Sequence, residues 1–154
     1  MEKKYINRFR SFQSSLASLE EARSRDMSDD FVVSGTVQKF CLTFDISWKV
    51  MKDIIVNYHK ISDFAAGSPR ETLRTAGSVR LISGDLWMKM LQDRNDLTHD
   101  YDGSLAREAV SRIVEWYLPK LEEFERTAAD YIAKMEQEEE VAVAEQSQTG
   151  RIKA

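Results

Sequence analysis

The densest group of chemically versatile side chains lies between Arg94 and Asp102. This stretch holds a guanidinium, an imidazole, a phenol and three carboxylates within nine residues. Arginine binds phosphate through a planar fork of N–H donors, and histidine exchanges a proton near neutral pH. The combination of Arg94 with His99 therefore predicts a site for a phosphodiester or for the phosphate of a nucleotide.

The spacing of Arg94 and His99 constrains how they can share a site. Positions five apart on a continuous helix point about 140° away from each other. Either the helix ends around Leu97 to Thr98 and the chain bends, or the two side chains converge across a two-fold axis between protomers. The break at Asp102-Gly103-Ser104 favours the bend, and the two alternatives are compatible.

A simpler interpretation assigns these two residues no chemistry. His99 would then be a loop or cap histidine. Arg94 would form a salt bridge on a solvated helix face with Asp85, Asp93 or Asp96. The residues of this stretch leave both interpretations open.

Composition narrows the class of protein. The chain of 154 residues is the size of one domain, and its net charge of −4 opposes general affinity for nucleic acid. The lone Cys41 cannot form an intrachain disulfide, and the first thirty residues lack the apolar stretch of a secretory signal. No run approaches the roughly 18 apolar residues of a membrane span. We therefore expect a cytoplasmic protein that does not enter membranes.

Helical periodicity is the main structural signal, since Gly and Pro are few. Apolar residues recur every three or four positions in two N-terminal stripes. The first comprises Tyr5, Phe9, Phe12, Leu16 and Leu19, and the second comprises Val33, Val37, Phe40, Phe44, Trp48, Met51, Ile55 and Tyr58. Ser28, Asp29 and Asp30 are candidate N-caps for the second helix. Gly35 within it predicts a close helix contact or a helix that begins after Phe31.

Three further helices follow. Ser68, Pro69 and Glu71 predict a capped short helix to about Ala76, and a helix beginning near Ser83 or Asp85 carries Leu86, Met90 and Leu97 on one face. A last helix, capped by Ser104, carries the stripe Val110, Ile113, Tyr117, Leu121, Phe124, Ala128, Tyr131 and Met135. Pro119 predicts a kink near Glu115 to Pro119.

These elements predict an all-α fold. Four long helices and one extra short helix, joined by short connections, most simply form an up-and-down antiparallel four-helix bundle. The sequence from Glu138 onward is rich in Glu, Gln, Ser and Ala, a composition typical of a frayed or disordered tail. We therefore predict a helical bundle domain over residues 1–137 and a polar tail over residues 138–154.

The second helix carries a polar stripe beside its apolar one. Gln38, Asp45, Lys49 and Lys52 lie about 100° to 160° around the helix from Val33. This stripe is either a solvated face or the wall of a nucleotide cleft or docking surface. The neighbouring Trp48 falls on a different face from Lys49, so we expect the indole to pack and the ammonium to act.

Several motifs resemble one known family. Arg94-Asn95 with His99 and Tyr101 is similar to the R-N-x3-H-x-Y signature of HEPN domains that partner minimal nucleotidyltransferases, described as nucleotidyltransferase substrate-binding proteins. The family's G-x-x-Q-x-F and E-x-x-W-K-x-x-K helix resembles Gly35 to Phe40 and Phe44 to Lys52, with Asp45 in place of the usual Glu. Further similar positions are Ser68-Pro69-Arg70-Glu71, Trp87 and Tyr117-Leu118-Pro119. The resemblance covers about Val33 to Phe124.

The resemblance implies a homodimer whose cleft holds Arg94 and His99 from both protomers, with Asn95 beside them. In toxin members of the superfamily, that cleft cuts RNA without a metal. Arg94 would stabilise negative charge in the transition state while His99 moves a proton to or from the 2′-oxygen. Tyr101 matches the tyrosine that partner nucleotidyltransferases modify with AMP in some toxin–antitoxin pairs.

The sequence and the resemblance are consistent with three functions. The first is a regulatory, substrate-binding subunit that pairs with a separately encoded minimal nucleotidyltransferase as a toxin–antitoxin-like module and binds a nucleotide or phosphate group in a dimer cleft. The second is a metal-independent ribonuclease toxin that uses Arg94 and His99 and is silenced at Tyr101. The third is a purely structural bundle. We expect no cofactor and no metal ion. Asp100-x-Asp102 could be a metal pair, but the nucleotidyltransferase pattern needs a Gly-Ser a short distance upstream on a strand–turn–helix, and no Gly-Ser is suitably placed.

Overall fold

The computed structural model describes residues 3–153, and this part of the chain contains helices and no strands. The α-helices are α1 (Lys4–Glu20), α2 (Asp30–Asn57), α3 (Pro69–Ser78), α4 (Leu86–Thr98), α5 (Ser104–Arg112) and α6 (Leu118–Lys153). A 3-10 turn, Glu21–Ser24, follows α1, and a π turn, Ile113–Tyr117, joins α5 to α6 without a break. The predicted all-α class is confirmed.

Contacts between α1 and its neighbours establish the direction of the helices. Arg8 near the start of α1 binds Asp53 near the end of α2 at 2.8 Å, and Ser15 lies 2.7 Å from Thr43. These pairs make α1 and α2 antiparallel. Gln13 donates to Glu125 on α6 at 2.9 Å.

Helix α4 runs against α6 in the same way. Trp87 at the start of α4 makes an edge contact with Phe124, while Asp93 one to two turns later binds Arg112 at the end of α5. Since both α2 and α6 run opposite to α1 and α4, the bundle is up-and-down, as predicted. The short α3 packs against α2 and α4.

The predicted stripes form the core. All five residues of the α1 stripe are buried, and so are the α2 stripe from Val33 to Ile55 and the last stripe apart from Tyr131. Phe12 and Trp87 both meet Phe124 edge-on at 5.7 Å. Tyr58 and Tyr131 are half-buried and touch each other edge-on at 4.9 Å at one end of the bundle. Aromatic packing thus connects the α1, α4 and α6 layers.

Predicted N-cap residues stand at the starts of three helices, and two of them make the expected side-chain hydrogen bond. Asp29 caps α2 by accepting the Phe31 N–H at 2.9 Å, and Ser68 caps α3 by accepting the Glu71 N–H at 3.3 Å. Asp85 occupies the N-cap of α4 without a side-chain hydrogen bond. Helix α3 ends at Ser78 rather than near Ala76.

The expectation for Gly35 was wrong in both its forms. Helix α2 begins at Asp30, ahead of Phe31, and a Cβ on Gly35 would meet no atom within 4 Å. The apolar stripe and the Asp29 cap are sufficient to carry the helix through a glycine. No packing requirement accounts for glycine at this position.

Where Pro119 predicts a kink, the helix contains a π turn over Ile113–Tyr117 and continues without interruption. Pro119 has no N–H to give to the carbonyl of Glu115 one turn earlier. Within Ile113–Tyr117 the ladder widens, and Leu118 N–H bonds the Ile113 carbonyl five residues earlier. The wider turn brings Tyr117 to a fully buried position.

Helix α6 extends beyond the packed bundle. The composition predicts a frayed or disordered tail from Glu138, whereas the helix continues to Lys153, consistent with the good helix formers Glu, Ala and Gln. Up to residue 150, where the description of side chains ends, the last buried residue is Met135, and residues 140–150 are all exposed. The boundary at 137 between domain and tail stays a prediction.

In the described range, no helix combines the length and the apolar character needed to cross a membrane.

We expect Gly35→Ala to stabilise the protein by about 1 kcal/mol, because alanine is the better helix former and the added methyl meets open space. Urea unfolding midpoints measure the change. The matched control is Gly103→Ala, which forces a side chain onto a φ of 74° and should lower stability. A less stable Gly35→Ala variant would show that glycine is required in α2.

Candidate functional site

The residues between Arg94 and Asp102 span the end of α4 and the turn before α5. Helix α4 ends at Thr98, and His99 takes the C-cap position with its N–H donating to the Asp96 carbonyl at 3.2 Å. Arg94 therefore belongs to the last turn of the helix and His99 lies outside it. Helix α4 thus ends where it must end if the chain is to bend between Arg94 and His99.

Arg94 is held by a carboxylate of α2. Its Nε donates to Oδ1 of Asp45 at 3.0 Å and its Nη2 donates to Oδ2 at 2.9 Å, a two-point pair across the two helices. The remaining Nη1 donates to the side chain of Asn95 at 3.2 Å. The hydrogen bonds to Asp45 raise the pKa of Arg94 further above its ordinary value, while burial opposes them.

The partner of Arg94 differs from the acids expected on its own helix. Asp85, Asp93 and Asp96 were the candidates, and Asp45 on α2 takes that position instead. The guanidinium and carboxylate are each about one-third exposed, 32% and 31%, so the pair forms a neutral unit at the surface. A phosphate approaching Arg94 must compete with Asp45 or share the guanidinium with it.

Cys41 lies one turn before Asp45 and is electrostatically coupled to the same pair. Burial, reinforced by Asp45 and opposed by Arg94, raises the pKa of the thiol to about 11. The thiol therefore stays protonated at neutral pH and is a poor nucleophile. This agrees with its interpretation as a small apolar residue of the helix.

His99 and Tyr101 are presented to solvent. Within residues 3–153, the imidazole of His99 makes no hydrogen bond or ion pair, and the residue is exposed. Tyr101 is 95% exposed. An aromatic side chain with almost no protein contact in a short turn is accessible to another molecule from nearly every direction.

The carboxylates of the turn cap α5. Asp100 Oδ2 accepts the N–H groups of Leu105 and Ala106, each at 3.0 Å, and Asp102 accepts the N–H of Ser104 at 3.1 Å. The backbone bond from Ser104 is the largest cause lowering the pKa of Asp102. These bonds satisfy donors that a helix start leaves free.

The predicted cap of α5 needs a correction. Gly103, rather than Ser104, occupies the N-cap, with a left-handed φ of 74°, and Ser104 is the first helical residue. Because Asp100 and Asp102 already cover the first N–H groups, the Ser104 hydroxyl is not needed as a cap. In the described part of the chain, no three metal-ligating side chains converge.

The polar stripe of α2 is only partly connected to this turn. Of its four members, Asp45 reaches Arg94, whereas the side chains of Gln38, Lys49 and Lys52 make no hydrogen bond or ion pair with the turn among the described residues. The Lys49 ammonium lies 5.8 Å from the centroid of the buried Trp48 ring. Trp48 is buried and Lys49 is exposed, so the two residues lie on different faces as expected, and that Lys49 acts on a ligand stays a prediction.

A second network next to Arg94 was not predicted. Asp93 Oδ2 accepts the Tyr117 hydroxyl at 2.5 Å and Arg112 Nε at 2.9 Å. Tyr117 is fully buried and stacks on Phe40 at 5.4 Å. Burial, aided by Asp93, raises the pKa of Tyr117 above its ordinary value, so the phenol stays protonated and donates.

The signal for this network was weak in the sequence. A tyrosine on an apolar stripe needs a partner for its hydroxyl, but the π turn that turns Tyr117 toward Asp93 has no sequence pattern of its own. The network ties the end of α5 and the π turn to α4, one residue before Arg94. It therefore holds the site without taking part in it.

Comparison with known proteins adds one finding. The family described as "Nucleotidyltransferase substrate binding protein like" matches residues 7–130, which is 124 of 154 positions and includes the whole Arg94 to Asp102 stretch. No curated protein matches the chain.

We expect Asp100→Ala to destabilise the protein by about 1 kcal/mol, within the range of about 0.5–2 for loss of a helix N-cap, because two N–H groups lose their acceptor. Urea unfolding measures the loss, and amide exchange at Leu105 and Ala106 should accelerate. The control, Asp96→Ala, removes only a hydrogen bond from exposed Gln92 and should change stability by less than about 0.5 kcal/mol. Equal effects of the two changes would contradict the capping role.

Proposed function

The chain belongs to the nucleotidyltransferase substrate binding protein like family, and from this membership we propose that it is the HEPN-type regulatory subunit of a separately encoded minimal nucleotidyltransferase. The pair works as a toxin–antitoxin-like module. The subunit presents the turn between α4 and α5 to the catalytic chain. The proposal includes a cytoplasmic location, in keeping with the single cysteine.

The observation that carries this proposal is the near-complete exposure of Tyr101 on an anchored turn. The turn is short, and Asp100 and Asp102 within it accept hydrogen bonds from the N–H groups at the start of α5. The phenol is therefore available without unfolding and without displacing a neighbour. A partner that transfers a nucleotide needs such an accessible oxygen.

The reaction at Tyr101 would be an ordinary nucleotidyl transfer. The phenol oxygen attacks the α-phosphorus of ATP, the bond to pyrophosphate breaks, and the phenol proton passes to a base of the partner. The product carries AMP as a phosphodiester on Tyr101. Added negative charge and bulk at this position would obstruct the surface around His99.

The Asp45–Arg94 pair favours regulation over broad RNA cleavage. Two charge-assisted hydrogen bonds neutralise the guanidinium within one protomer, and the chain as a whole has a net charge of −4. An RNA backbone would find little positive potential on which to collect. A single nucleotide or phosphate group held in the cleft of a homodimer places a smaller demand on Arg94.

We expect a cognate minimal nucleotidyltransferase with ATP to add one adenylyl group to Tyr101. Intact-mass and peptide analysis would locate the group. Tyr101→Phe should abolish the modification, while the half-buried Tyr58 and Tyr131 in the same sample serve as internal controls. Modification that also reaches Tyr58 and Tyr131, or that is absent from Tyr101, would contradict the proposal.

A second candidate function is metal-independent RNA cleavage. The observation that favours it is the free imidazole of His99, which no described residue occupies. His99 would take the proton of a ribose 2′-hydroxyl, and the 2′-oxygen would attack phosphorus to form a 2′,3′-cyclic phosphate. The bond from phosphorus to the 5′-oxygen would break, and that oxygen would take a proton from water. Arg94, supplied from either protomer of a dimer, would stabilise the charge on phosphorus.

If this second function holds, the purified protein cleaves RNA in the presence of a chelator, and His99→Ala abolishes cleavage. Asp45→Asn should increase cleavage because it releases Arg94 from its carboxylate partner. Light scattering should give twice the 17.8 kDa of one chain. Absence of cleavage by the wild-type dimer and by Asp45→Asn would leave the regulatory function as the only one supported.

A further inference from the structure

The outer side of α2 carries a row of exposed apolar side chains. Phe31 is 87% exposed, Leu42 is 57% exposed and Val56 is 37% exposed. Because successive helical positions turn by about 100°, these three residues lie within about 40° of one line, roughly opposite the buried stripe that begins at Val33. Single exposed apolar residues are common on proteins, whereas several on one side of a helix mark a surface that binds another molecule.

A notch interrupts this row at Gly35, one turn after Phe31. A Cβ built on Gly35 would meet no atom within 4 Å. The notch borders a cavity of about 270 Å³ between the 3-10 turn after α1 and the start of α2, which Phe31 and Val32 also line. A glycine on the outer side of a helix lets the backbone or a large side chain of another molecule approach closely. The notch therefore suits a protruding side chain of a binding partner.

Three lysines lie along the same side of α2. Lys49 follows Leu42 by two turns within the row, and Lys39 and Lys52 flank the row on its two sides, about 60° and 80° from Leu42. Lys39 and Lys49 are exposed, and Lys52 is half-buried. The Lys39 ammonium donates to the Ser18 hydroxyl. Among the described residues, none of the three lysines forms a salt bridge with a carboxylate, so all three charges are available to a ligand.

The carboxylates on this side of α2 are already neutralised by arginines of the neighbouring helices. Asp45 pairs with Arg94 at 2.9 Å, and Asp53 pairs with Arg8 at 2.8 Å. The three lysines therefore give the outer side of α2 a surplus of positive charge, on a chain whose net charge is −4. Opposite potentials across an interface favour the right partner and exclude wrong ones. This surface selects a negatively charged partner.

The combination of apolar and basic groups argues against two other occupants. A second copy of the chain would bring the same three lysines against this surface, and like charges in contact oppose binding. A phosphate backbone would pair with the lysines but would leave Phe31 and Leu42 exposed to water. An amphipathic helix with acidic flanks uses both features, because its apolar residues recur every three or four positions, as the row on α2 does.

We propose that the outer side of α2 is a docking surface for an acidic amphipathic helix of another protein. The apolar side chains of that helix lie on Phe31, Leu42 and Val56, and one large side chain enters the notch at Gly35. Its carboxylates pair with the three lysines. The surface goes beyond the proposed function, because it requires neither Tyr101 nor nucleotidyl transfer.

Two synthetic helical peptides of about 25 residues, roughly the length of the row, test the proposal. Both carry leucine at every third or fourth position, and their flanking positions hold glutamate in one peptide and lysine in the other. Fluorescence anisotropy measures the binding of each peptide to the full chain. We expect the glutamate peptide to bind at least about tenfold more tightly at low salt. This preference should shrink at high salt, because salt screens the lysines.

Variants of α2 locate the binding surface. Leu42→Glu and Lys49→Glu should each weaken binding of the glutamate peptide about tenfold or more. Gly35→Leu should weaken it by filling the notch, while raising the urea unfolding midpoint because leucine is the better helix former. The matched control is Val143→Glu, which introduces the same charge at an apolar side chain of α6 that is 66% exposed. This variant should bind the peptide as the wild type does.

Several results would overturn the proposal. They are absence of binding by the glutamate peptide, equal binding of the two peptides, and equal losses in Leu42→Glu and Val143→Glu. A lower light-scattering mass of Leu42→Glu would assign the surface to a second copy instead. Binding of the wild type, but not of Leu42→Glu, to vesicles of anionic phospholipid would assign it to a membrane. Tyr101→Phe should bind the glutamate peptide normally, so a failure of the proposed function at Tyr101 is distinguishable from a failure here.

Discussion

A carboxylate on α2 and a guanidinium on α4 meet in two parallel hydrogen bonds, and the arrangement of the candidate site depends on this pair. Asp45 fixes Arg94 on the last turn of α4, and so determines which of its N–H groups remain for a ligand. Only Nη1 points elsewhere, to Asn95. Any phosphate chemistry at Arg94 must therefore begin from a neutral ion pair rather than from a free cation.

The neighbouring residue ties α4 to a different helix. Asp93 binds Arg112 and the hydroxyl of Tyr117, while Arg94 binds Asp45, so two adjacent residues attach α4 to opposite neighbours. Removal of one partner in such a partly buried network leaves a charge or hydroxyl without its hydrogen bond, which costs more than the bond itself contributes. Rotation of α4 is thereby opposed from both sides. The turn between α4 and α5 is therefore held in a fixed position.

The sequence predicts the layout of this protein better than its contacts. Stripes such as Tyr5 to Leu19 depend only on helical periodicity, and they are buried as expected. The partner of Arg94 was beyond prediction, because the choice of Asp45 over Asp93 depends on how α4 is rotated against α2. The π turn follows from Pro119 together with the packing of Tyr117, and packing is a property of the assembled bundle. The prediction of a close helix contact at Gly35 was wrong. It assumed a steric reason for glycine inside a helix, and a Cβ at this position would meet no atom.

The continuity of α5, the π turn and α6 affects how the molecule moves through solvent. The 50 residues from Ser104 to Lys153 form a rod of about 75 Å. Glu139 still reaches Lys3, and the stretch beyond it, about 21 Å, projects from the bundle. A body with such a projection has a larger frictional coefficient than a sphere of equal mass. It will elute from a gel-filtration column ahead of compact proteins of 17.8 kDa, so an elution volume alone overestimates the mass of a single chain.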